Sequence, residues 1–411
     1  MMESFRNVWL INHYAQEPGG PGGTRHYSLA YHIKDYMWQI TIIAASVELN
    51  TGHQRLSINE QTRFETISGV DYLWVKTPAY KGSGIKRIVN MLVFAIQILR
   101  KNVLSALVPP DVIIGSTVHP FAALAGAILA HRYKVPFIFE VRDLWPQTLI
   151  EMGRIKKNSL YAFFLRRIES YLCNKAVKII TLLPRAADYF SVIGVEEEKV
   201  VWISNGVELN KFRSKTNALS HNIFVLMYFG AIGPANDLET LLNALVIVKR
   251  NNYSANLRVR LIGEGPLKHF LISRAEDLGI SDFVFFEPAV SKNCIPCVAS
   301  EADAFVICVK NLPRLYRYGI SMNKLFDYMA AARPIVMSSC AINDIVSDSN
   351  SGITVEAENC EALAQAIIDL INMPSSYREA MGLNARKYVE AHFDYKILGK
   401  KFAQVLDSVA S

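Results

Sequence analysis

The feature that most constrains the fold of this chain is an alternation of strand-like and helix-like segments that runs along the sequence twice. In the first series, helical patterns at residues 24–36 and 120–131 lie between short β-rich segments. Those segments are residues 7–12, 39–45, 72–76, 111–115, 136–141, 177–182 and 200–203. Strands and helices that alternate at this spacing are typical of βαβ units on a parallel sheet.

The alternation restarts after residues 211–222, which are polar and carry no pattern. The second series has a helix at about residues 238–250 and strand-like segments at residues 224–230, 257–262, 283–286, 304–309 and 333–337. We therefore predict an α/β fold of two Rossmann-like, doubly wound parallel-sheet domains that face a central cleft. The predicted domains are residues 1–210 and 211–389, with a C-terminal helix at about residues 390–411 that crosses back to the first.

Composition excludes several other classes of protein. Apolar residues make up 51% of the chain and charged residues 20%, so the chain is neither disordered nor fibrous. Six cysteines are too few for a disulfide scaffold, and polar residues interrupt the N-terminal stretch, so we expect a cytoplasmic protein. Cys294 and Cys297 form a CxxC motif without the second pair that a zinc site needs, and we expect two half-buried thiols there.

Positive charge is concentrated in the first half of the chain. The net charge is +7, and residues 1–210 contain 23 Lys and Arg against 17 Asp and Glu. Two blocks, residues 72–110 and 152–168, contain basic residues and no acid. Their basic residues are Lys76, Lys81, Lys86, Arg87, Arg100 and Lys101 in the first block, and Arg154, Lys156, Lys157, Arg166 and Arg167 in the second.

The first basic block surrounds a largely apolar stretch at residues 88–99. This stretch is too short to span a bilayer, which takes ~20 apolar residues. We predict a helix that lies on an anionic membrane surface, and the alternative is a buried helix with charged ends. No nucleic-acid-binding motif accompanies the charge, so we expect no nucleic acid partner.

A glycine-rich loop follows the first strand of the first series. Gly19, Gly20, Gly22 and Gly23 precede a helix that would begin after Thr24. Glycines let the backbone present N–H groups to an anion, and the start of a helix favours negative charge, so this loop is a candidate phosphate site. A flexible loop is the alternative. Neither a GxGxxG fingerprint nor a GxxxxGK[ST] loop occurs, which removes the main support for NAD or P-loop binding.

Polar residues also follow two later strands of the first series. His119 lies between a strand and a helix, where it would point toward the ligand-binding edge, although a structural histidine is the alternative. Glu140, Arg142 and Asp143 end the next strand, and alternation places Glu140 and Arg142 on one face. This cluster either holds the hydroxyl groups of a substrate or forms a buried ion pair.

The second half has three candidate loops of its own. Gly230 and Gly233 follow a strand and precede a helix. Gly263, Glu264, Gly265 and Pro266 stand in the same context. Lys324 and Asp327 lie three residues apart on a predicted helix, which places them on one face. A lysine suits a phosphate, and a carboxylate accepts hydrogen bonds as a ribose diol requires.

These segments together resemble the GT-B glycosyltransferases of family 4, and most of all a WbuB-like branch that acts in bacterial surface-polysaccharide assembly. The resemblance runs along nearly the whole chain and no single motif decides it. The segments that carry it are NHYAQEPGGPGGTRHYSLA, GSTVHPFAALAGAILAHRYKVPFIFEVRDLWPQTL, IVWISNGVELNKF, RLIGEGP and GISMNKLFDYMAAARPIV. It implies transfer of a sugar from a nucleotide sugar with retention of configuration and without an essential metal.

The resemblance also implies roles for particular residues. Gly22 and Gly23 would approach the donor diphosphate, and His119 would hydrogen-bond the donor sugar near its reacting carbon. Lys324 would contact the diphosphate and Asp327 the ribose. The loop expected near the base consists of Gly263, Glu264, Gly265 and Pro266. Family members lack an evident protein nucleophile, so stabilisation of the leaving group carries most of the catalysis.

The sequence departs from the family pattern in two places. Residues 230–237 lack the arginine and lysine that many members have after this strand. In the family's Glu-x7-Glu pattern, Asp327 replaces the second acid and Gly319 stands at the first. The residues that would supply the missing positive charge are Lys324, Arg317 and Arg25. A sugar-nucleotide epimerase of the same architecture and a non-catalytic nucleotide-sugar-binding subunit stay open as alternatives, and the missing cations suit the second.

The expected substrates follow from the same resemblance. The donor would be a UDP-linked sugar, such as the N-acetylated deoxysugar FucNAc, and the acceptor a polyprenyl-diphosphate-linked saccharide at the inner face of the cytoplasmic membrane. The product would belong to O-antigen, capsule or exopolysaccharide. Candidates for contacts with the acceptor or the sugar are Arg25, Glu140, Arg142, Asp143 and Arg317. No Asp-x-Asp pair occurs, so we expect neither a metal nor any other cofactor.

Overall fold

The computed structural model describes residues 5–20, 24–49, 51–80, 82, 84–117, 119–212 and 223–410. Gly22, Gly23 and Lys81, which the sequence singled out, lie outside the described residues. The chain divides into two compact units. The first unit comprises residues 1–204 and 395–411, and the second comprises residues 205–394.

Fourteen strands are present among the described residues. The first unit contains β1 (Arg6–Ile11), β2 (Trp38–Ala45), β3 (Thr62–Ile67), β4 (Val70–Val75), β5 (Val112–Ser116), β6 (Phe137–Val141), β7 (Lys178–Thr181) and β8 (Val200–Trp202). The second contains β9 (Phe224–Phe229), β10 (Leu257–Ile262), β11 (Val284–Glu287), β12 (Ala304–Cys308), β13 (Ile335–Ser338) and β14 (Gly352–Val355).

Sixteen α-helices lie between and after these strands in the described part of the chain. Up to the end of the first strand series they are α1 (Arg25–His32), α2 (Ile85–Ile98), α3 (Lys101–Leu104), α4 (Pro120–Tyr133), α5 (Gln147–Glu151), α6 (Leu160–Lys175) and α7 (Ala186–Val192). They continue with α8 (Leu238–Arg250), α9 (Lys268–Asp277), α10 (Ile295–Ala299), α11 (Pro313–Tyr316), α12 (Asn323–Ala330), α13 (Ile345–Asp348), α14 (Cys360–Asn372), α15 (Ser375–His392) and α16 (Tyr395–Asp407).

The sheet of the first unit has the strand order β3-β4-β2-β1-β5-β6-β7-β8. Its neighbouring strands are parallel except β3 and β4, which pair antiparallel. Strand β3 was not predicted from the sequence. A tight turn joins it to β4, with Ser68 and Gly69 at φ 47° and 82°, the conformation that two-residue hairpin turns require.

The sheet of the second unit has the order β11-β10-β9-β12-β13-β14, and all of its neighbours are parallel. Strand order reverses between β1 and β5 in the first sheet and between β9 and β12 in the second. A crevice opens at such switch points beyond the carboxyl ends of the strands, and doubly wound proteins bind ligands there. The predicted fold class, two Rossmann-like parallel-sheet units, is confirmed.

Helices cover the first sheet in layers. Helices α2 and α6 both pack against α4, so these three helices lie side by side. Helix α16 packs against α1, and its buried residues Leu398 and Phe402 join the core that contains Leu29 and Trp38. No helix among the described residues is long and apolar enough to cross a membrane.

Candidate active site

Lys324, on α12, lies at the carboxyl end of β9 in the second unit. Its Nζ donates a hydrogen bond of 2.9 Å to Tyr228 Oη and another to Asn236 Oδ1. The ammonium also sits 4.4 Å from the centroid of the Tyr228 ring. Desolvation lowers the pKa of Lys324 to about 7. A nearby anion would raise this pKa and so favour the charged ammonium.

Two glycine loops lie next to this lysine. Gly230, which follows β9, lies so close to Lys324 that an added Cβ would come within 3.5 Å of its Cε. The loop after β10 packs on the loop after β9, because Ile232 N donates to Glu264 O at 2.9 Å. A Cβ on Gly263 would lie 1.9 Å from Gly230 O, so only glycine permits this close approach. The structure thus places Gly230, Gly263 and Lys324 together.

Gly265 packs on Ile232, since an added Cβ would lie 2.2 Å from Ile232 O, whereas Glu264 and Pro266 of the same loop point outward. Glu264 and Pro266 are exposed, and Glu264 forms an ion pair of 2.7 Å with Lys268. The hydrogen bond from Lys268 lowers the pKa of Glu264. Lys268 also donates to Gly263 O at 2.9 Å, so it fixes the loop from inside while its partner carboxylate faces solvent.

Asp327 is buried on α12 and shares an ion pair with Lys292. The second carboxylate oxygen, Oδ1, has no hydrogen-bond partner among the described residues. Burial raises the pKa of Asp327 despite the neighbouring ammonium. An acceptor of this kind suits the hydroxyl group of a ligand. Lys324 and Asp327 contact different loops, those that follow β9 and β11 respectively.

The structure accounts for the departures from the family pattern around β9. Asn236, where many family members have a cation, holds Lys324 through Oδ1 and donates through Nδ2 to Ala231 O at 2.8 Å. Tyr228 Oη donates to the same carbonyl at 2.6 Å. Arg317 is exposed and its guanidinium lies 5.3 Å from the centroid of the Tyr318 ring. Lys324 is therefore a cation fixed beside these loops that no carboxylate among the described residues neutralises, whereas Lys268 and Lys310 are paired with Glu264 and Asp237.

In the first unit, His119 lies where β5 ends and α4 begins. It is 1% exposed, and neither ring nitrogen has a hydrogen-bond partner within the described residues. Its ring contacts that of His13, which follows β1, with centroids 4.8 Å apart. The two histidines meet because β1 and β5 are neighbouring strands. They therefore occupy the switch point of the first sheet.

Arg25 and Glu140 form a buried ion pair, which corrects the expectation that they contact a substrate. Arg25 Nε donates to Glu140 Oε1 at 2.9 Å, and the side chains are 1% and 0% exposed. Arg25 also donates to the carbonyls of Ile203 and Ser204. His26 bonds the second carboxylate oxygen of Glu140. Burial alone would raise the pKa of Glu140, but His26 and Arg25 hold it well below its usual range. The paired Arg25 does not compensate for missing cations elsewhere.

The other candidates at the end of β6 are more open. Asp143 is exposed and Arg142 is half-buried, with its backbone N–H donating to Thr117 Oγ1 at 3.0 Å. Arg142 Nε has no hydrogen-bond partner in the described part of the chain. Both residues follow the carboxyl end of β6.

Cys294 and Cys297 are both exposed, so the expectation of half-buried thiols was wrong. They flank the start of the short helix α10, whose buried residues are Ile295 and Ala299. Helical periodicity turns these two residues toward the core and the thiols toward solvent. Within the described residues, no three His, Cys, Asp or Glu side chains come together as metal ligands would.

Sequence reasoning missed His13, Asn90, Tyr228 and Asn236. Tyr228 lies inside an apolar strand segment and resembles a core residue by pattern. Asn236 carried a signal, because it stands at a position where the family has a cation. His13 carried one too, since it follows β1 as His119 follows β5.

Comparison with known proteins agrees with this geometry. Residues 223–373 match the family model described as glycosyl transferases group 1. Residues 22–206 match the model described as a glycosyl transferase 4-like domain. The two matches cover the two units separately.

Individual relatives are distant but extend over most of the chain. CapM of Staphylococcus aureus, a capsular polysaccharide biosynthesis glycosyltransferase, is 23% identical over 303 residues, which are 70% of this chain and 75% of CapM. Sucrose-phosphate synthase from Thermosynechococcus elongatus superposes with a TM-score of 0.75 at 15% identity, covering 98% of each chain. Anabaena HepE, solved with UDP and glucose, gives 0.68 at 16% identity, covering 98% of this chain and 100% of HepE. The chain therefore belongs to the group 1, family 4-like glycosyltransferases, which have the GT-B fold.

Proposed function

We propose that this glycosyltransferase moves a sugar from a nucleotide sugar to a lipid-linked saccharide, with retention of configuration, in the assembly of a bacterial surface polysaccharide. The observation that carries the proposal is the fixed ammonium of Lys324 beside two glycine loops at the end of β9. A cation next to close-packed backbone suits the diphosphate of a nucleotide sugar. The solved structure of HepE with UDP and glucose supports UDP as the nucleotide.

The reaction breaks the bond between the sugar and the diphosphate, so negative charge grows on the departing phosphate oxygen. Lys324 is held by Tyr228 and Asn236 and is ready to stabilise that charge without rearranging. Asp327 offers a free acceptor oxygen for a ribose hydroxyl. His119 offers ring nitrogens for the hydroxyls of the sugar. No protein nucleophile is assigned, which fits transfer on the same face of the sugar.

Incubation with radiolabelled UDP-sugars and a polyprenyl-linked acceptor extract tests this function. Label that moves into the lipid fraction supports the transferase. Label that stays on UDP but changes its sugar configuration supports the epimerase instead, and label that binds without change supports a non-catalytic subunit. A panel that includes UDP-FucNAc, UDP-GlcNAc, UDP-glucose and the corresponding GDP-sugars identifies the sugar and the base. FucNAc on UDP, as in a WbuB-like enzyme, is the specific expectation.

We propose that the first unit binds the inner face of the cytoplasmic membrane, where such an acceptor lies. Helix α2 buries Met91, Phe94 and Ile98 but leaves Ile96 57% exposed. Four further apolar residues of α2 are exposed as well, namely Ile85, Ile88, Val89 and Leu92. The exposed apolar face is flanked by the exposed basic residues Lys86, Arg100 and Lys101. Apolar and basic groups in this combination suit an anionic lipid surface.

Helix α6 carries a second surface of the same kind. Leu160 is 89% exposed and Phe163 60% exposed, and Tyr161 and Phe164 are exposed beside them. The second basic block, with Lys156, Lys157 and Arg167 exposed, adjoins these side chains. Since α2 and α6 both pack against α4, the two surfaces belong to one helical layer. Two apolar and basic surfaces on one helical layer support peripheral attachment of the first unit to the membrane.

We expect UDP binding to weaken as pH rises above about 7. The pKa of Lys324 is about 7 in the free protein, and a bound diphosphate raises it only slightly, because the contact with UDP is weak before charge develops on the leaving oxygen. Binding above about pH 7 therefore requires partial uptake of a proton, and the dissociation constant should rise with pH by no more than a few fold in all. The ionisation of UDP itself contributes little to this pH dependence, because its terminal phosphate loses its last proton near pH ~6.

Calorimetric titration of UDP between about pH 6 and about pH 9 measures this dependence. The Lys324→Met variant is the matched control, and its affinity should change little over that range. A flat profile for the parent, or an equal slope in Lys324→Met, would show that another group is responsible.

We also expect transfer to proceed without a divalent metal. The chain has no Asp-x-Asp pair, and Lys324 with the backbone amides of the glycine loops would neutralise the diphosphate instead. Activity measured after dialysis against EDTA should match that of untreated protein. Activity that disappears in EDTA and returns only with Mg²⁺ or Mn²⁺ would refute this expectation.

A further inference from the structure

His13 occupies a position beside His119 that none of the roles above uses. It is 2% exposed, lies two residues after the end of β1, and packs edge-on to the His119 ring. It also packs edge-on against Phe94 of α2, with ring centroids 4.7 Å apart. Its Nδ1 atom has no hydrogen-bond partner in the described part of the chain.

The hydrogen bonds of Asn90 determine which nitrogen of His13 carries the proton. Asn90 Nδ2 donates to the carbonyl of Pro78 at 2.6 Å, and a carbonyl only accepts. The amide is thereby oriented, so Asn90 Oδ1 faces His13 Nε2 at 2.7 Å. His13 Nε2 must donate this bond. In the neutral ring, Nδ1 is then a bare lone pair.

This lone pair selects the kind of ligand that fits. Burial lowers the pKa of His13 to about 3, and burial with the positive Arg87 nearby also lowers that of His119. Neither ring carries a positive charge near neutral pH, so the pair does not attract phosphate. A bare acceptor needs a ligand that donates a hydrogen bond, as a hydroxyl group does. A bound hydroxyl group would give this buried acceptor the hydrogen bond that it lacks among the described residues.

We propose that His13 binds a sugar hydroxyl through Nδ1, beside His119, and that Asn90 is the positioning residue that fixes its tautomer. The position of His13 in the fold agrees with this assignment, because both histidines lie at the switch point between β1 and β5, where doubly wound proteins bind ligands. The inference rests on the proposed sugar transfer. The hydroxyl belongs either to the donor sugar or to the acceptor saccharide, and the experiment separates the two.

Nitrogen NMR of ¹⁵N-histidine-labelled full-length protein tests the proposal directly. The His13 signals are assigned by their loss in His13→Phe. The ligand-free protein should show Nε2 protonated and Nδ1 unprotonated, and Asn90→Leu should remove this preference. UDP alone should leave Nδ1 unmoved. If the hydroxyl belongs to the donor, UDP-glucose or UDP-GlcNAc should shift it, and if it belongs to the acceptor, free glucose or GlcNAc added with UDP should shift it.

Binding measurements give a second readout. His13→Phe should leave UDP affinity unchanged and lose about tenfold of the affinity for whichever sugar moves Nδ1. His131→Phe, an exposed position on α4, is the matched control and should lose nothing. Melting temperatures of the variants show whether each one folds.

Three outcomes would overturn the inference: a protonated Nδ1 in the ligand-free protein, an Nδ1 signal that no sugar moves, or an equal shift with UDP alone. Failure of UDP to bind the parent would instead refute the UDP donor. The ligand-free tautomer and the titration with free sugars would still decide the role of His13.

Discussion

Replacing Lys324 by alanine is expected to lower the turnover of sugar transfer by about 10²–10³-fold, the range seen when one preorganised charge-stabilising donor is removed. UDP binding should weaken far less. The difference arises because Lys324 is already paired with Tyr228 Oη and Asn236 Oδ1 in the free protein. Its attraction to the diphosphate is therefore largest when charge develops on the leaving oxygen, and an interaction made mainly in the transition state raises turnover.

Steady-state kinetics and UDP titration on the same preparations separate the two effects. Lys387→Ala, an exposed lysine on α15, is the matched control and should behave as the parent. Equal losses in the dissociation constant of UDP and in turnover would mean that Lys324 contributes only to binding. The melting temperature should not fall, because Lys324 is desolvated and its removal relieves that cost.

Replacing Lys86, Arg100 and Lys101 by glutamine is expected to weaken binding to anionic vesicles by roughly 100-fold, at ~1 kcal/mol for each basic group near the lipid surface. Binding to neutral vesicles should change little, and high salt should reproduce the loss in the parent. Arg87 is left in place, since its Nε donates to Tyr14 Oη at 3.0 Å and belongs to the cluster around His13. Sedimentation with vesicles measures the effect.

Two further variants sharpen this test. Glutamine at Arg250, Arg258 and Lys387, exposed in the second unit, removes the same charge and should leave vesicle binding intact. Serine at Phe163 and Phe164 should weaken binding through α6 to neutral and anionic vesicles alike. Transfer to a soluble short-chain acceptor should survive in all of them. Undiminished sedimentation of the Lys86, Arg100 and Lys101 variant would show that α2 is only a core helix with charged ends.

The alternation of apolar segments predicted the fold because each strand of a parallel sheet is buried on both faces. Strand β3 does not show this apolar pattern, since it is an edge strand whose residues alternate between half-buried and exposed. Its Arg63 and Glu65 made the segment too polar to read as a strand. The Ser68-Gly69 pair was the available signal, because this pair favours a two-residue hairpin turn.

The candidate site was predictable where a polar residue follows a strand, as with His119 and Lys324. The side chains that hydrogen-bond the site residues could not be predicted from the sequence. Tyr228 and Asn90 lie 96 and 77 residues from the groups they hold, and only tertiary contact joins them. For Arg25 the sequence suggested a role that the structure does not support. A cation near a glycine loop suggested a positive charge for the diphosphate, whereas Glu140, on a strand distant in sequence, neutralises Arg25.

The packing of α16 against α1 determines the order in which the chain can fold. Trp38 Nε1 donates to Asp407 Oδ1 at 3.0 Å, and Leu398, Phe402 and Leu406 lie in the same core as Leu29. The ribosome makes this helix after the residues of the second unit. The core of the first unit can therefore be completed only after residues 205–394 have been synthesised, although its strands are made before them.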